Sequence, residues 1–191
     1  MLLCVVALGA LVLAGDGCIF DPASTHKPPP GPGQKAYDQS EPDFTLHRLE
    51  NVYTNRDSVL IKDIYDSTYV GTSTDQTAGG GGQILNFSYA DEIDHVAHLA
   101  RDHSIATVTL SFGSLTRLPS DDISHPDWAL IQISGSNMRL EIDTQAESTS
   151  VRLNPVGETF TFKLRPITPA NTPTDTLWTI VRWDEVYVGG A

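Results

Sequence analysis

Apolar positions recur every three to four residues early in the chain and every two residues late in it. Leu46, Leu49 and Tyr53 fall at helical spacing, with Val52 beside them. Ser40-Glu41-Pro42-Asp43 precedes them and supplies a start: Ser40 as cap, Pro42 in the first turn, Asp43 as an acid near the positive end. Asn55-Arg56-Asp57 ends the run. Asp57 can cap a second short helix, in which Leu60 with Ile64 and Ile61 with Tyr65 are four apart. Tyr69 to Thr72 reads as extended. A third helix is the clearest element: Ser88 and Asp91 form a capping-box-like pair, and Ile93, Val96, Ala97 and Ala100 follow on one face.

From Ile105 the period changes to two. Ala106, Val108, Leu110 and Phe112 point one way, and Thr107, Thr109 and Ser111 the other. Leu115 to Asp127 reads as a loop holding Pro119 and Pro126. Ala129, Ile131 and Ile133 share one parity, while Met138, Leu140 and Ile142 share the opposite one. One face can hold both sets only if Ser134-Gly135-Ser136-Asn137 inserts an odd offset, as a bulge in a bent strand or as a turn. The same flip separates Val151 and Leu153 from Phe160, Phe162 and Leu164, across Asn154-Pro155-Val156-Gly157. Two kinks predict a strongly curved sheet. Leu177 to Val188 is the last strand. Helices gathered early and a curved antiparallel sheet late imply α+β, with the helices on one face.

Length and charge narrow the class. Of 191 residues, 40% are hydrophobic and 19% charged, enough apolar content for a packed core. Twelve basic residues against 24 acidic ones give a net charge of -12, which argues against nucleic acid as a partner. Two cysteines exclude a disulfide scaffold and a multi-cysteine zinc site.

The first residues have another purpose. Leu2 to Ala14 is apolar and uncharged, but shorter than the roughly 20 residues a membrane-spanning helix needs. Leu13-Ala14-Gly15-Asp16-Gly17-Cys18 resembles a bacterial lipoprotein signal, in which Cys18 takes the lipid and becomes the mature N-terminus. Gly15 and Asp16 depart from that pattern. Residues 18–42 form a tether in which Pro28, Pro29, Pro30 and Pro32 favour extended polyproline backbone. The expected organisation is a signal peptide over 1–17, a Pro-rich tether over 18–42 and a domain over 43–188. The membrane is then a partner through lipid (palmitate among its chains) on Cys18. Ile19 stands where Asp commonly signals inner-membrane retention, which favours an outer membrane where there are two.

Specific segments of the domain carry a resemblance. Leu49 to Asp57 resembles the first helix of nuclear transport factor two-like domains, with Tyr53, two residues, then Arg56-Asp57. Asp57 to Tyr69 resembles their next short helix and first strand. Trp178-Thr179-Ile180-Val181-Arg182-Trp183 resembles their closing strand. The resemblance implies a cystatin-like α+β cone with a cavity between sheet and helices. Some such domains are ketosteroid isomerases, polyketide cyclases or dehydratases, and many only bind. It implies a small apolar ligand or an envelope protein as partner, and association of two copies through the open sheet face.

Candidate chemistry is sparse. Tyr53, Tyr65, Tyr69 and Trp128 are the residues placed to approach a cavity, and no pattern makes a catalytic pair of them. Gly79-Gly80-Gly81-Gly82 lacks the Lys-Ser/Thr of a phosphate loop. His95 and His98 could present two imidazoles to a metal. Wheel arithmetic sets them opposite the apolar stripe, beside Asp91, Asp94 and Asp102, as a solvated face. No metal and no cofactor are expected. The expected role is non-catalytic binding by a lipid-anchored envelope protein. A small-molecule isomerase or dehydratase and a purely structural surface lipoprotein are the alternatives.

Overall fold

The computed structural model describes residues 38–75, 84–144, 150–153, 158–170 and 175–187. All belong to the second of two units, Ala36–Ala191. Cys18, the signal, the Pro-rich stretch and the four glycines lie outside the described residues.

Helix α1 (Pro42–Asn55) starts with Pro42 in its first turn and Asp43 near its positive end. Its N-cap is Glu41, without a side-chain bond; the expected cap Ser40 is turned away onto the Asp38 carboxylate. Leu46, Leu49, Val52 and Tyr53 are buried, as their spacing predicts. Arg56 closes the helix in the left-handed region, with φ 52. Its guanidinium donates to the carbonyls of Leu99 and Ile105 at 3.4 and 3.0 Å, stitching α1 to a later helix end and strand. Asp57 caps the following turn, accepting from the amides of Val59 and Leu60. Helix α2 (Ile61–Ile64) is a single turn that runs directly into strand β1 (Tyr65–Asp75).

Strand β2 (Ile84–Ser88) pairs antiparallel with β1 and was not legible in the pattern. Ser88 then caps helix α3 (Tyr89–Arg101) through the expected capping box with Asp91. Strands β3 (Ile105–Phe112), β4 (Thr116–Leu118), β5 (Ala129–Ser134), β6 (Met138–Thr144), β7 (Ser150–Leu153), β8 (Glu158–Ile167) and β9 (Leu177–Tyr187) complete the fold. The large sheet runs β2-β1-β9-β8-β5-β4 and the small one β3-β6-β7. Among the described residues only β1 and β9 pair in parallel.

The bend is where the parity flip requires it. Gly135–Asn137 forms a 3-10 turn between β5 and β6, so one continuous stretch serves both sheets. Ala129, Ile131, Ile133, Met138 and Ile142 are all buried as a result. Strands β7 and β8 divide between the sheets in the same way; the residues joining them, 154–157, lie outside the described set. Phe160, Phe162 and Leu164 form the floor of the core with Ile180, under Leu46, Leu49, Val52 and Val96 from the helices. Burying each such side chain is worth roughly 1.5–3 kcal/mol.

Bulges shift the parity of two strands. A register shift between Ile105 and Thr107 exposes Ala106 and buries Ile105. In β9, Lys163 pairs with Arg182 but Leu164 with Ile180, so Val181 is an extra residue. Trp178 and Trp183, opposite by simple alternation, therefore both pack on the one core. Strand β4 also interrupts what reads as a loop from Leu115 to Asp127.

Candidate functional site

Three of the four expected cavity residues meet. Tyr53 comes from the last turn of α1. Tyr65 and Tyr69 come from β1, on either side of an irregularity in its pairing with β9: Tyr65 aligns with Ile180, but Val70 already with Arg182. The surplus residues bulge outward, where Asp66 accepts from the Thr68 amide at 2.9 Å and pairs with Arg165. This local turn leaves the Tyr65 and Tyr69 rings 4.5 Å apart. Trp128 lies elsewhere, stacked on His125 at 4.2 Å at the end of the loop before β5.

The residue they meet around is Glu92, which sequence reasoning passed over. It sits in the first turn of α3 and is only 9% exposed. Tyr53 Oη donates to Glu92 Oε2 at 3.1 Å, and Tyr69 Oη donates to Oε1 at 3.2 Å. Burial lifts the Glu92 carboxyl above its ordinary value, and the two tyrosine donors oppose that only in part. The positive end of α3 also favours a carboxylate there. Burial, and then the nearby Glu92 charge, hold the phenols of Tyr53, Tyr65 and Tyr69 above their ordinary value.

One hydroxyl is left over. Tyr65 is 2% exposed, and its Oη makes no well-formed hydrogen bond among the described residues, although the Tyr53 hydroxyl is close enough to interact with it. Native interiors rarely tolerate this without a water, a ligand or strain to account for it. Trp183 Nε1 is likewise buried without a partner. Gly71 completes the arrangement. A Cβ there would lie 2.5 Å from Tyr69 Oη, so the hydroxyl stands over the strand because glycine leaves room.

The histidines divide. His98 faces solvent, with Nδ1 at 2.7 Å from the Asp94 carbonyl. His95 is not on a solvated face: it is half-buried and stands edge-on to Tyr53, with ring centroids 5.9 Å apart. Burial lowers its proton affinity, and His98 adds to this. The reason is rotational. Glu92, Val96 and Leu99 are the buried positions of α3, so the buried face is turned roughly 80° from the Ile93/Val96/Ala97/Ala100 stripe, at ~100° per residue. The apolar stripe pointed beside the core because a carboxylate occupies its centre.

A second acidic pair lies on the sheet. Glu158 is buried, and Glu185 is raised by burial while bonding to Glu158 and Ser73. Among the described residues no group of three His, Cys, Asp or Glu could hold a metal, and no helix is long and apolar enough to cross a membrane.

No family model matches the chain, and no curated protein does. Solved structures do. One chain of naphthalene 1,2-dioxygenase with indole bound is 8% identical, with 82% of this chain and 81% of that chain covered and a TM-score of 0.55. The beta subunit of a protein described as an aromatic-ring-hydroxylating dioxygenase, from Novosphingobium aromaticivorans, is 9% identical, with 80% and 90% covered and a TM-score of 0.51. A nuclear transport factor two-like protein with a cystatin-like fold, from the same species, is 12% identical, with 81% and 84% covered and a TM-score of 0.48. At such identities the likeness is one of fold alone: the chain is an α+β protein whose helices pack on a curved, open, mostly antiparallel sheet.

Proposed function

We propose that this chain is a lipid-anchored envelope protein whose α+β domain binds a small, mostly apolar molecule at the Glu92–tyrosine cluster without transforming it. The anchor rests on Cys18, with an apolar run before it and prolines after it. Binding rests on one observation: a buried carboxyl held by the hydroxyls of Tyr53 and Tyr69, with the Tyr65 hydroxyl beside them buried and without a well-formed hydrogen bond among the described residues. Ligand sites combine an apolar lining with a few convergent polar groups, and this cluster supplies the polar groups. Both oxygens of Glu92 accept a tyrosine hydroxyl, an arrangement suited to a fixed polar floor.

A second reading has its own support. A general base needs a proton affinity tuned by its surroundings, and burial raises that of Glu92, with His95 beside Tyr53. Acid–base chemistry of the isomerase or dehydratase kind would use these groups.

Native mass spectrometry of the lipidated protein taken from the envelope tests the proposal. The expected result is a copurifying small molecule that is released on denaturation and absent from Glu92→Gln. Clean masses from both proteins would sink the small-ligand reading and leave an envelope protein or a second copy as partner. Deuterium entering carbon next to the carbonyl of added ketones would favour the acid–base reading. Palmitate labelling lost in Cys18→Ser tests the anchor.

A further inference from the structure

We infer that the ligand presents this cluster with a hydrogen-bond acceptor, a carbonyl, ester or ether oxygen, on an uncharged apolar body. The inference rests on the binding site proposed above and names the chemistry that site selects.

Two buried donors frame it. Tyr65 Oη makes no well-formed hydrogen bond, though the Tyr53 hydroxyl is close enough to interact with it, and Trp183 Nε1 is an indole N–H without a partner among the described residues that can only donate. They flank Tyr69. The Tyr65 ring lies 4.5 Å from the Tyr69 ring on one side. On the other side, Trp183 aligns with Gly71, over which the Tyr69 hydroxyl stands. Aligned residues of neighbouring strands project to the same side about 5 Å apart, so the indole borders that hydroxyl. Tyr53 and Tyr69 have their protons committed to Glu92.

The cluster therefore has donors to spare. An incoming oxygen acceptor satisfies either of them, whereas an ammonium or other pure donor leaves the indole N–H bare. An anion would meet Glu92 and also Glu158 and Glu185, which occupy the face of β8 and β9 that carries Phe160 and Trp183. An uncharged acceptor is the remaining class. The rings of Tyr65, Tyr69, Trp183 and Phe162, the last two 4.8 Å apart, give it apolar surroundings.

The test compares probes of one skeleton. The full chain carrying Cys18→Ser, purified without detergent, is titrated calorimetrically with 1-indanone, indane and 2-aminoindane. Indanone is expected to bind roughly tenfold tighter than indane, the ratio one good hydrogen bond supports. Tyr65→Phe and Trp183→Phe should each shrink that ratio, and together bring it within about twofold, whatever either does to the binding of indane itself. Tyr65→Phe keeps its ring and Trp183→Phe exchanges the indole for a smaller aromatic ring, so circular dichroism checks that each is folded. If Trp183→Phe fails to fold, Tyr65→Phe alone decides. Equal binding of indanone and indane overturns the acceptor inference but leaves the site standing, with a water as Tyr65's partner. Tightest binding by aminoindane overturns it too, in favour of a cationic ligand. Absence of binding by all three overturns the site and this inference together.

Discussion

Gly71→Ala isolates the geometry on which the candidate site depends. At an unstrained strand position, alanine in place of glycine should stabilise by ~0.4–1 kcal/mol through the unfolded chain. Gly71 has an ordinary backbone conformation, so nothing local forbids alanine. The added Cβ, however, would lie 2.5 Å from Tyr69 Oη and 3.2 Å from its Cζ. That hydroxyl is the end of a rigid ring packed on Tyr65, and it is bonded to Glu92. Overpacking of this kind costs ~1–3 kcal/mol, and losing a hydrogen bond to a buried carboxylate ~1.5–3. The unfavourable terms win, and a net loss of ~2–4 kcal/mol is expected.

The partner variant Tyr69→Phe removes the atom at 2.5 Å. Alone it gives up the bond to Glu92, about 1–3 kcal/mol. In its background Gly71→Ala should cost only ~0–1 kcal/mol, because a ring carbon can yield a few tenths of an ångström. The cycle should therefore show a coupling of about 2 kcal/mol, measured from urea midpoints at unchanged slope. Effects that add within ~0.5 kcal/mol would refute the placement of Tyr69 over Gly71, and with it the site.

Three further outcomes follow from the same contacts. Burial raises Glu92, so the folded protein keeps that proton longer than the unfolded chain; its stabilising contribution is full below pH ~4.5 and lost as pH rises through the raised value. Glu92→Gln should flatten that slope in denaturation series, and an unchanged slope would contradict the burial of Glu92. Arg56→Gly relieves a left-handed backbone at ~1 kcal/mol but deletes bonds to two carbonyls, so a net loss of roughly 1 kcal/mol is expected by thermal or urea unfolding. The triple variant Tyr53→Phe, Tyr69→Phe, Glu92→Leu replaces a buried polar cluster with apolar groups. By analogy with buried charges it should unfold ~1–4 kcal/mol later than wild type while losing any copurifying ligand.

Most of the architecture was legible because periodicity is a strong signal where one face is buried. The parity flip at Ser134–Asn137 located the bend, and the capping box at Ser88 located α3. What escaped has physical causes. Strand β2 has exposed and half-buried positions without a fully buried one, so no apolar alternation marks it. The bulge at Val181 reverses parity within an unbroken strand, which no period-two argument detects. Glu92 escaped for a different reason. A carboxylate on a helix reads as polar face, and its burial depends on tyrosines 39 and 23 residues away in the chain. The one available clue was Leu99, seven residues on and therefore on the same side of the helix.

Among the described residues local rules and global fold part company at several points, and four of these fall in one neighbourhood. Glu92 occupies the centre of a buried helical face that leucine would fill more stably. Gly71 takes a strand interior, where glycine is unfavourable. Tyr65 and Trp183 bury donors that make no well-formed hydrogen bond among the described residues. Each departure could be removed by an ordinary substitution: leucine at 92, alanine at 71, phenylalanine at 65. Buried polar atoms without partners also occur at Asp43 Oδ1, Arg165 Nε and Thr179 Oγ1, but these four departures adjoin one another. The Tyr69 hydroxyl touches Glu92 and overhangs Gly71, its ring lies against Tyr65, and Trp183 stands in the next strand. A bound acceptor would account for these four together, because it satisfies the donors while requiring the room that glycine leaves.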